Sequence, residues 1–310
     1  MITPGKVLYS LYHKPIEIVR KTLKTGVRRT IETNAGKSKM THAASNLQEI
    51  TRDNKPTYQV YFLTGKKYWF QTAFCLYSFQ KNADVNIEAI IVDDGSFEDE
   101  LEMAVKRQFP TTVKVIRTKV IDEFLDKVLP VNEFPVLRQR RLDYPHLRKL
   151  TDVHVLPGDD PKLVLDSDML FFHKPEEMLD WLANPDKCLF MKDVTESYGY
   201  TQQLMKELAG VSMIPDRLNV GVAGIPSSLI NWQRLERWTK EMLDREGSSY
   251  LQEQALTAMI AADKPCVFLD QTNYKVLPVI NSANIPEVLH HYVADSKYDY
   301  FVKGWTCAVN

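Results

Sequence analysis

The stretch Lys162-Leu-Val-Leu-Asp-Ser-Asp-Met-Leu-Phe-Phe172 is a short apolar run between turn residues, which predicts a buried central strand. Asp166 and Asp168 lie two positions apart, so on an extended chain their side chains leave on the same side and Ser167 points the other way. Two adjacent carboxylates are unfavourable unless a positive charge joins them, and such oxygen ligands suit Mn²⁺ or Mg²⁺. The stretch therefore predicts a divalent-metal site. A solvated strand exit with acidic caps is the alternative.

The composition is that of an ordinary globular protein, with 310 residues of which 44% are hydrophobic and 25% charged. We expect one domain, or one domain with appendages. No apolar run reaches the roughly 18 residues of a membrane span, and no signal-peptide pattern opens the chain. A cytoplasmic protein is expected.

The charges are unevenly distributed along the chain. Residues 1–55 carry eleven Lys and Arg against four Asp and Glu, which gives +7, whereas the rest carries −8. Apolar and basic residues mix over residues 7–27, which predicts one or two amphipathic helices with a cationic face. This leader, up to about residue 32, could contact an anionic membrane surface, so that the protein is peripheral to it, or could pack as a solvated helix on the main domain. Residues 33–55 are predicted to be a loop or tether. No nucleic acid partner is expected.

Residues 56–310 alternate between strand and helix patterns, which predicts an α/β domain with a mainly parallel sheet. Strands are predicted at residues 58–63, 88–92 and 114–117, and helices at residues 68–80 and from about residue 98. Asp93 and Asp94 follow the second strand as Asp166 and Asp168 follow the later one, and ligands of such sheets bind beyond the strand carboxyl ends. Two acidic clusters are therefore expected at one crevice, where a carboxylate can contact a nucleotide. A helix-capping turn is the alternative for the segment ending at Ser96.

Several segments, in the same order, resemble the GT-A-fold glycosyltransferases, and the downstream half is most similar to glycosyltransferase family 8. They are Tyr61-Phe-Leu-Thr-Gly65, Ile90-Ile-Val-Asp-Asp-Gly-Ser96, Leu163-Val-Leu-Asp-Ser-Asp-Met169, Leu218-Asn-Val-Gly-Val222, Glu253-Gln254 and His291-Tyr-Val-Ala-Asp-Ser-Lys297. The resemblance spans about residues 57–305 and implies a GT-A (Rossmann-like) α/β fold. It also implies metal-dependent transfer from a nucleotide-diphosphate sugar, in the first place a UDP-sugar, to a saccharide, lipid or protein acceptor, with retention at the anomeric carbon. An inverting enzyme would need a carboxylate base, for which Asp193 or Glu196 is available.

The resemblance also implies roles for individual residues. It implies that Asp166, Asp168 and His291 are metal ligands. It implies that Gln254, Glu253 and Asn219 contact the donor sugar and take part in catalysis. The residues that it implies bind the nucleotide and its diphosphate are Thr64, Asp93, Asp94, Arg148, Lys149, Ser167 and Lys297. His291 is favoured over His290 because it lies six residues before Lys297, which is the family spacing. The alternatives are a buried histidine pair packed on Tyr292, and a solvated first helical turn at Glu253 and Gln254.

The sequence departs from the family pattern close to these residues. Ala294 stands where the family has Gly, and Tyr298-Asp299 follows the lysine in place of Pro-Trp. Two other functions would suit an α/β domain with this acidic stretch. One is a sugar-phosphate nucleotidyltransferase. Such enzymes have a Gly-rich loop after the first strand, and Thr64-Gly-Lys-Lys67 matches that loop poorly. The other is a non-catalytic nucleotide- or carbohydrate-binding protein.

Overall fold

The computed structural model describes residues 26–158 and 161–309, which form two β-sheets surrounded by helices. The seven-stranded sheet consists of β1 Thr57–Thr64, β2 Asn86–Asp93, β3 Val113–Ile116, β4 Lys162–Leu165, β6 Cys188–Lys192, β7 Leu218–Ile225 and β8 Cys266–Phe268. The three-stranded sheet consists of β5 Met169–Phe171, β9 Tyr274–Val276 and β10 Leu289–His291.

The large sheet is mainly parallel, as the alternation of strands and helices predicts. Its order is β3-β2-β1-β4-β7-β6-β8, and the first four strands run parallel. Strand β7 runs antiparallel to both of its neighbours. Because β1 and β2 pair in register to their last residues, Thr64 and Asp93, both strands end at one edge of the sheet beside the end of β4.

The prediction of a single strand over residues 162–172 is wrong. Strand β4 pairs with β1 and β7 in the large sheet, whereas β5 pairs with β10 in the small one. The backbone changes partners between them, because the Asp166 amide donates to the Gly221 carbonyl (2.9 Å) and the Tyr292 amide donates to the Asp168 carbonyl (2.9 Å). The two aspartates therefore lie where the two sheets meet.

The helices cover both faces of the large sheet and bury two apolar clusters against it. They are α1 Val27–Ala44, α2 Trp69–Asn82, α3 Asp99–Gln108, α4 Thr118–Val128, α5 Pro135–Asp143, α6 Thr151–His154, α7 Glu176–Ala183, α8 Gln202–Ala209, α9 Trp232–Glu246, α10 Gln252–Ala261, α11 Lys297–Asp299 and α12 Trp305–Val309, with a π-helix at Tyr300–Gly304. Among the described residues, no helix combines the length and the apolar character needed to cross a membrane.

Helix α1 corrects the prediction of a loop or tether over residues 33–55, because residues 33–44 are helical. Gly36, Met40 and Ala44 recur every four residues and are buried, so they form one face that packs on the rest of the protein. Packing of this kind stabilises a helix that the polar sequence alone does not predict. The amphipathic helix predicted over residues 7–27 lies almost entirely outside the described residues, and the domain boundary at residues 55 and 56 stays a prediction.

Candidate active site

Asp166, Asp168 and His291 converge where the two sheets meet. Strand β10 pairs antiparallel with β5, with His291 opposite Met169, and this register brings the imidazole beside both aspartates. The His291 Nε2 atom lies 3.5 Å from Asp166 Oδ2 and 3.3 Å from Asp168 Oδ1. One candidate ligand atom from each residue lies within 4.8 Å of the other two. The structure thus brings together the three residues predicted as metal ligands.

The surroundings of His291 fit a bound divalent cation. The side chain is buried, and neither ring nitrogen has a hydrogen-bond partner among the described residues. A Cβ atom at Gly221 would lie 2.4 Å from the ring atoms Cε1 and Nδ1, so only glycine leaves room for the imidazole here. Buried polar nitrogens without partners are unfavourable. Two carboxylate oxygens and one imidazole nitrogen form a donor set that suits Mn²⁺ or Mg²⁺.

In each aspartate, the carboxylate oxygen that does not face His291 contacts a lysine amine. The Lys149 Nζ atom lies 2.8 Å from Asp166 Oδ1, and Lys297 Nζ contacts Asp168 Oδ2. Burial alone would raise the pKa of Asp166, but Lys149 and His291 outweigh it and hold that pKa well below its ordinary value. Burial would likewise lower the pKa of Lys149, but Asp166 and Glu253 outweigh it and raise the pKa. The site therefore gathers ionised groups of both signs.

The two adjacent histidines have opposite environments, as expected for neighbours on a strand. Burial would lower the pKa of His291, but its contacts with Asp166 and Asp168 outweigh this effect and raise the pKa to about 9. Burial lowers the pKa of His290 to about 4, and its Nδ1 atom hydrogen-bonds the Tyr292 hydroxyl at 3.0 Å. The alternative of a buried histidine packed on Tyr292 therefore describes His290 but not His291.

Glu253 and Gln254 lie in the first turn of α10, and both are buried. The alternative of a solvated turn is wrong for them. The Glu253 Oε2 atom lies 3.6 Å from Lys149 Nζ, and burial raises the Glu253 pKa to about 7 although Lys149 opposes the shift. The Gln254 Nε2 atom donates to the Ser197 carbonyl at 2.6 Å. Glu253 thus belongs to the charged cluster, and Gln254 is oriented by the neighbouring loop.

Asn219 lies on β7, behind the metal-ligand group. Its Oδ1 atom accepts a hydrogen bond from the Gly221 amide (2.9 Å), and its Nδ2 atom donates to Asp193 Oδ2 (3.0 Å). These two bonds fix the backbone of Gly221, against which the His291 ring packs. The predicted contact of Asn219 with the donor sugar stays a prediction.

Asp93 is accounted for by the turn that follows β2. Its Oδ1 atom accepts hydrogen bonds from the amides of Gly95 (2.7 Å) and Phe97 (3.1 Å), and its Oδ2 atom accepts one from Thr118 Oγ1 (3.0 Å). The residue is only 3% exposed. This geometry supports a structural role at the end of β2, and the predicted contact of Asp93 with a nucleotide stays a prediction.

Asp94 and Arg148 form a second contact at the same strand end. The Asp94 Oδ1 atom accepts a hydrogen bond from the Ser96 amide (3.0 Å), as in a capping turn, and Arg148 Nη1 donates to the Asp94 carbonyl (2.6 Å). Arg148 therefore braces the end of β2, whereas its neighbour Lys149 reaches Asp166. The predicted nucleotide contacts of Asp94 and Arg148 stay predictions.

Thr64 and Ser167 are joined through Thr72, a residue for which the sequence predicts no role. Thr72 Oγ1 lies 2.8 Å from Ser167 Oγ and donates to Thr64 Oγ1 at 2.8 Å. These hydrogen bonds tie α2 to the ends of β1 and β4. Gly221 is a second residue without a predicted role, although it lies in a segment that carries the resemblance. A threonine at the start of a helix gives no comparable signal, because its partners come from distant parts of the chain.

Solved glycosyltransferase structures have a similar arrangement of strands and helices. Mouse xyloside xylosyltransferase 1, in its apo form, matches with a TM-score of 0.52 and 15% identity over 76% of this chain and 97% of that chain. The galactosyltransferase LgtC, in complex with donor and acceptor sugar analogues, matches with a TM-score of 0.54 and 15% identity over 81% of this chain and 94% of that chain. This chain has a GT-A fold.

The GT-A fold predicted from the order of the motifs is thus confirmed. An active-site mutant of LgtC gives a similar match, with a TM-score of 0.50 and 15% identity over 76% of this chain and 87% of that chain. No protein-family model matches the sequence, and no curated protein matches it either. Because identity this low shows the fold alone, the resemblance to family 8 stays a prediction.

Proposed function

We propose that this GT-A protein is a metal-dependent glycosyltransferase that moves a sugar from a nucleotide-diphosphate sugar, most simply a UDP-sugar, to a saccharide, lipid or protein acceptor. One observation carries the proposal. Asp166, Asp168 and the buried His291, whose ring nitrogens have no hydrogen-bond partner among the described residues, meet where the two sheets join, with a lysine on either side. When the leaving group is a nucleoside diphosphate, its growing negative charge must be stabilised, and a cation held by this cluster together with the lysines can do so.

In this proposal, Asp166, Asp168 and His291 hold Mn²⁺ or Mg²⁺. A bound divalent cation supplies Lewis-acid stabilisation of the charge that grows on the leaving diphosphate. Lys297 now contacts Asp168, and a cation on the same carboxylate would leave the Lys297 amine free to bind phosphate oxygens. Lys149 stays between Asp166 and Glu253, where it keeps both carboxylates in place.

Protonation links His291 to metal binding. With a pKa of about 9, the imidazole carries a proton at neutral pH when no cation is bound. An imidazole must be neutral to ligate a metal, so His291 would release that proton on holding a cation. Glu253 and Gln254 would face the donor sugar in this proposal, and Asn219 would hold the backbone behind the His291 ring.

Retention at the anomeric carbon is the stereochemical outcome that we propose. An inverting enzyme needs a carboxylate base near the acceptor hydroxyl, and the two candidates for it accept hydrogen bonds within the protein. Asp193 accepts hydrogen bonds from the Val194 amide (2.8 Å) and from Asn219 Nδ2 (3.0 Å). Glu196 Oε2 accepts one from Gln202 Nε2 (2.8 Å). The support for a retaining reaction is the resemblance of the downstream half of the sequence to family 8.

The proposed assignment includes a cytoplasmic location at an anionic membrane surface, reached through residues 1–32, with residues 56–310 as the catalytic domain. Val27 and Ile31 support it, because they lie one turn apart on α1 and are 60% and 62% exposed. The Arg28 side chain between them is exposed as well. Apolar residues flanked by cations suit contact with acidic lipid headgroups. Co-sedimentation with vesicles of phosphatidylserine and phosphatidylcholine tests this part, and equal pelleting of the full chain and a chain lacking residues 1–32 would contradict it.

Isothermal titration with UDP and Mn²⁺ tests the main proposal. We expect UDP to bind tightly only when Mn²⁺ is present, and a UDP-sugar to be hydrolysed slowly under the same conditions. A non-catalytic binding protein would bind UDP equally well with and without Mn²⁺. A sugar-phosphate nucleotidyltransferase would instead require a nucleoside triphosphate and a sugar phosphate, and turnover of that pair would overturn the proposal.

A further inference from the structure

Helix α1 contacts the part of the chain that carries Lys297. The Tyr298 hydroxyl donates a hydrogen bond to Glu32 Oε2 at 2.6 Å, and the Arg29 guanidinium carbon lies 4.4 Å from the centroid of the Tyr298 ring. A charge-assisted hydrogen bond and a cation–π contact on one side chain fix its position more firmly than either alone. Tyr298 follows Lys297 directly, so the contact with α1 bears on the lysine that meets Asp168.

The backbones of the two elements also touch. A Cβ atom at Gly36 would lie 2.1 Å from the Phe301 carbonyl oxygen, so α1 approaches the π-helix Tyr300–Gly304 more closely than any residue except glycine allows. Met40, one turn further along α1, is fully buried. Helix α1 is therefore seated on the main domain by its backbone as well as by Glu32 and Arg29.

The docked segment begins with a strained residue. Ala294 has φ 45°, in the left-handed region that disfavours a residue with a Cβ atom by on the order of 1 kcal/mol. Such a conformation persists only where the surrounding structure enforces it. Lys297 itself contacts Asp168 and lies 3.5 Å from Gln71 Oε1. The segment from Ala294 to Gly304 is thus held between α1 on one side and the metal-ligand group on the other.

We infer that α1 is a positioning element of the donor site. It holds residues 294–304 so that the Lys297 amine stays beside Asp168, where the diphosphate of the donor would bind. The part of this inference that concerns the nucleotide rests on the proposed function. Helix α1 lies outside residues 57–305, whose motifs resemble those of glycosyltransferases, yet in this inference it supports a site residue of the GT-A domain.

Gly36→Ala is the most informative variant. Alanine favours a helix over glycine by about 1 kcal/mol, so α1 itself gains stability while the new methyl group pushes it away from Phe301. Ser38→Ala is the matched control, because Ser38 lies on the same helix and is exposed. Tyr298→Phe removes only the hydroxyl that Glu32 accepts, and its matched control is the half-buried Tyr77→Phe on α2.

Two measurements on the full chain separate the inference from the proposed function. Hydrogen exchange without any ligand follows the opening of residues 294–304. Calorimetry with UDP and Mn²⁺ gives the nucleotide affinity, and Mn²⁺ alone gives the metal affinity. In Gly36→Ala and Tyr298→Phe we expect faster exchange confined to residues 294–304, UDP binding weakened about fivefold, and Mn²⁺ binding unchanged. The controls should match the wild type in all three.

Each outcome decides one of the two ideas. Wild-type exchange at residues 294–304 in both variants would overturn the positioning role, whatever UDP does. Faster exchange together with unchanged UDP affinity would overturn the link from α1 to the donor site. If the wild type binds no UDP while the variants exchange faster, α1 holds the segment as inferred and the proposed function fails. A lowered melting temperature with unchanged local exchange at 25 °C would show a merely structural role, against the inference.

Discussion

The ends of β2 and β4 carry similar acidic pairs at the same edge of the sheet, yet their surroundings differ. At the end of β2, Asp93 accepts hydrogen bonds from the Gly95 and Phe97 amides and from a threonine hydroxyl. At the end of β4, the carboxylates of Asp166 and Asp168 face lysine amines and the imidazole of His291. Acidic residues at a strand end thus serve either the chain itself or a ligand.

The distinction depends on which donors reach the oxygens. Asp93 Oδ1 accepts from the turn amides of Gly95 and Phe97, while its Oδ2 contacts the Thr118 hydroxyl and the Arg117 guanidinium (3.4 Å), so this carboxylate stabilises the turn. The Lys297 amine can move away from Asp168, and the buried imidazole of His291, which has no hydrogen-bond partner among the described residues, lies beside oxygens of both aspartates. The β4 end is therefore the one that can exchange its partners for a bound cation.

The largest expected effect is that of Asp168→Asn. The amide keeps the shape of the side chain but removes the charge that holds the cation, so we expect turnover to fall by a factor of about 1,000 or more, which corresponds to about 4 kcal/mol. Asp168 borders a half-exposed Lys297, so the melting temperature should change little. Donor hydrolysis, transfer and thermal unfolding measure both. Asp166→Asn should behave similarly, or more mildly if it mainly contacts the ribose. Wild-type turnover in Asp168→Asn would remove the β4 end from the site.

The next largest effect distinguishes the two adjacent histidines. His291→Ala removes the neutral nitrogen beside the aspartates, so we expect a higher Mn²⁺ requirement and a loss of two or more powers of ten in turnover, about 2.7 kcal/mol. His290→Ala should affect turnover slightly, because its ring bonds Tyr292 on the other side of β10. Steady-state kinetics across a Mn²⁺ series measures both variants. The reverse ranking would contradict the proposed register, and equal, slight effects would exclude both histidines from the site.

The same type of substitution should have the opposite effect at the end of β2. Asp93→Asn replaces one carboxylate oxygen with an amide that cannot accept the hydrogen bond from Thr118, so the protein should lose about 2 kcal/mol of unfolding free energy. Affinity for UDP and Mn²⁺ should stay close to that of the wild type. Urea unfolding and calorimetry test the contrast with Asp168→Asn. A stable Asp93→Asn protein that no longer binds UDP would reverse the assignment of the two ends.

Hydrophobic periodicity predicted the α/β class and a mainly parallel sheet, because β1, β2, β3 and α2 follow it, whereas the resemblance of the motifs predicted the GT-A fold. The split between β4 and β5 was not predictable in this way, since residues 162–172 read as one apolar run. Their backbone changes partners because Gly221 and Tyr292, far along the chain, supply the next hydrogen bonds. The helical part of residues 33–55 was missed for a similar reason. Gly36 packs on the backbone of Phe301 and Met40 is buried in the core, and these contacts with distant residues are not visible in the local sequence.

In the candidate site, too, some features could be predicted from the sequence and others depend on contacts between distant residues. The order of the motifs predicted that Asp166, Asp168 and His291 meet, and the structure brings them together. Sequence reasoning could not separate Asp93 from Asp168, because both follow a strand and only the identity of the contacting donors differs. Roles that depend on a hydrogen bond between distant residues, such as that of Thr72, leave no trace in a local pattern.

The smallest expected effect concerns Glu253, the remaining acid beside the β4 end. Its folded-state pKa of about 7 lies above the ordinary value of 4.5, because burial disfavours the charged form. A raised folded pKa contributes stability that is fully present below pH 4.5 and is lost as the pH rises through 7. Glu253→Gln removes this loss, so at pH 8 the variant should exceed the wild type by on the order of 1 kcal/mol in unfolding free energy. At pH 5 the difference should shrink towards zero. Urea unfolding in EDTA at the two pH values measures it, with the exposed Glu123→Gln on α4 as the control. If Glu253→Gln gained the same unfolding free energy at both pH values, the ionised Glu253 carboxylate would not be the group that lowers the stability of the wild type.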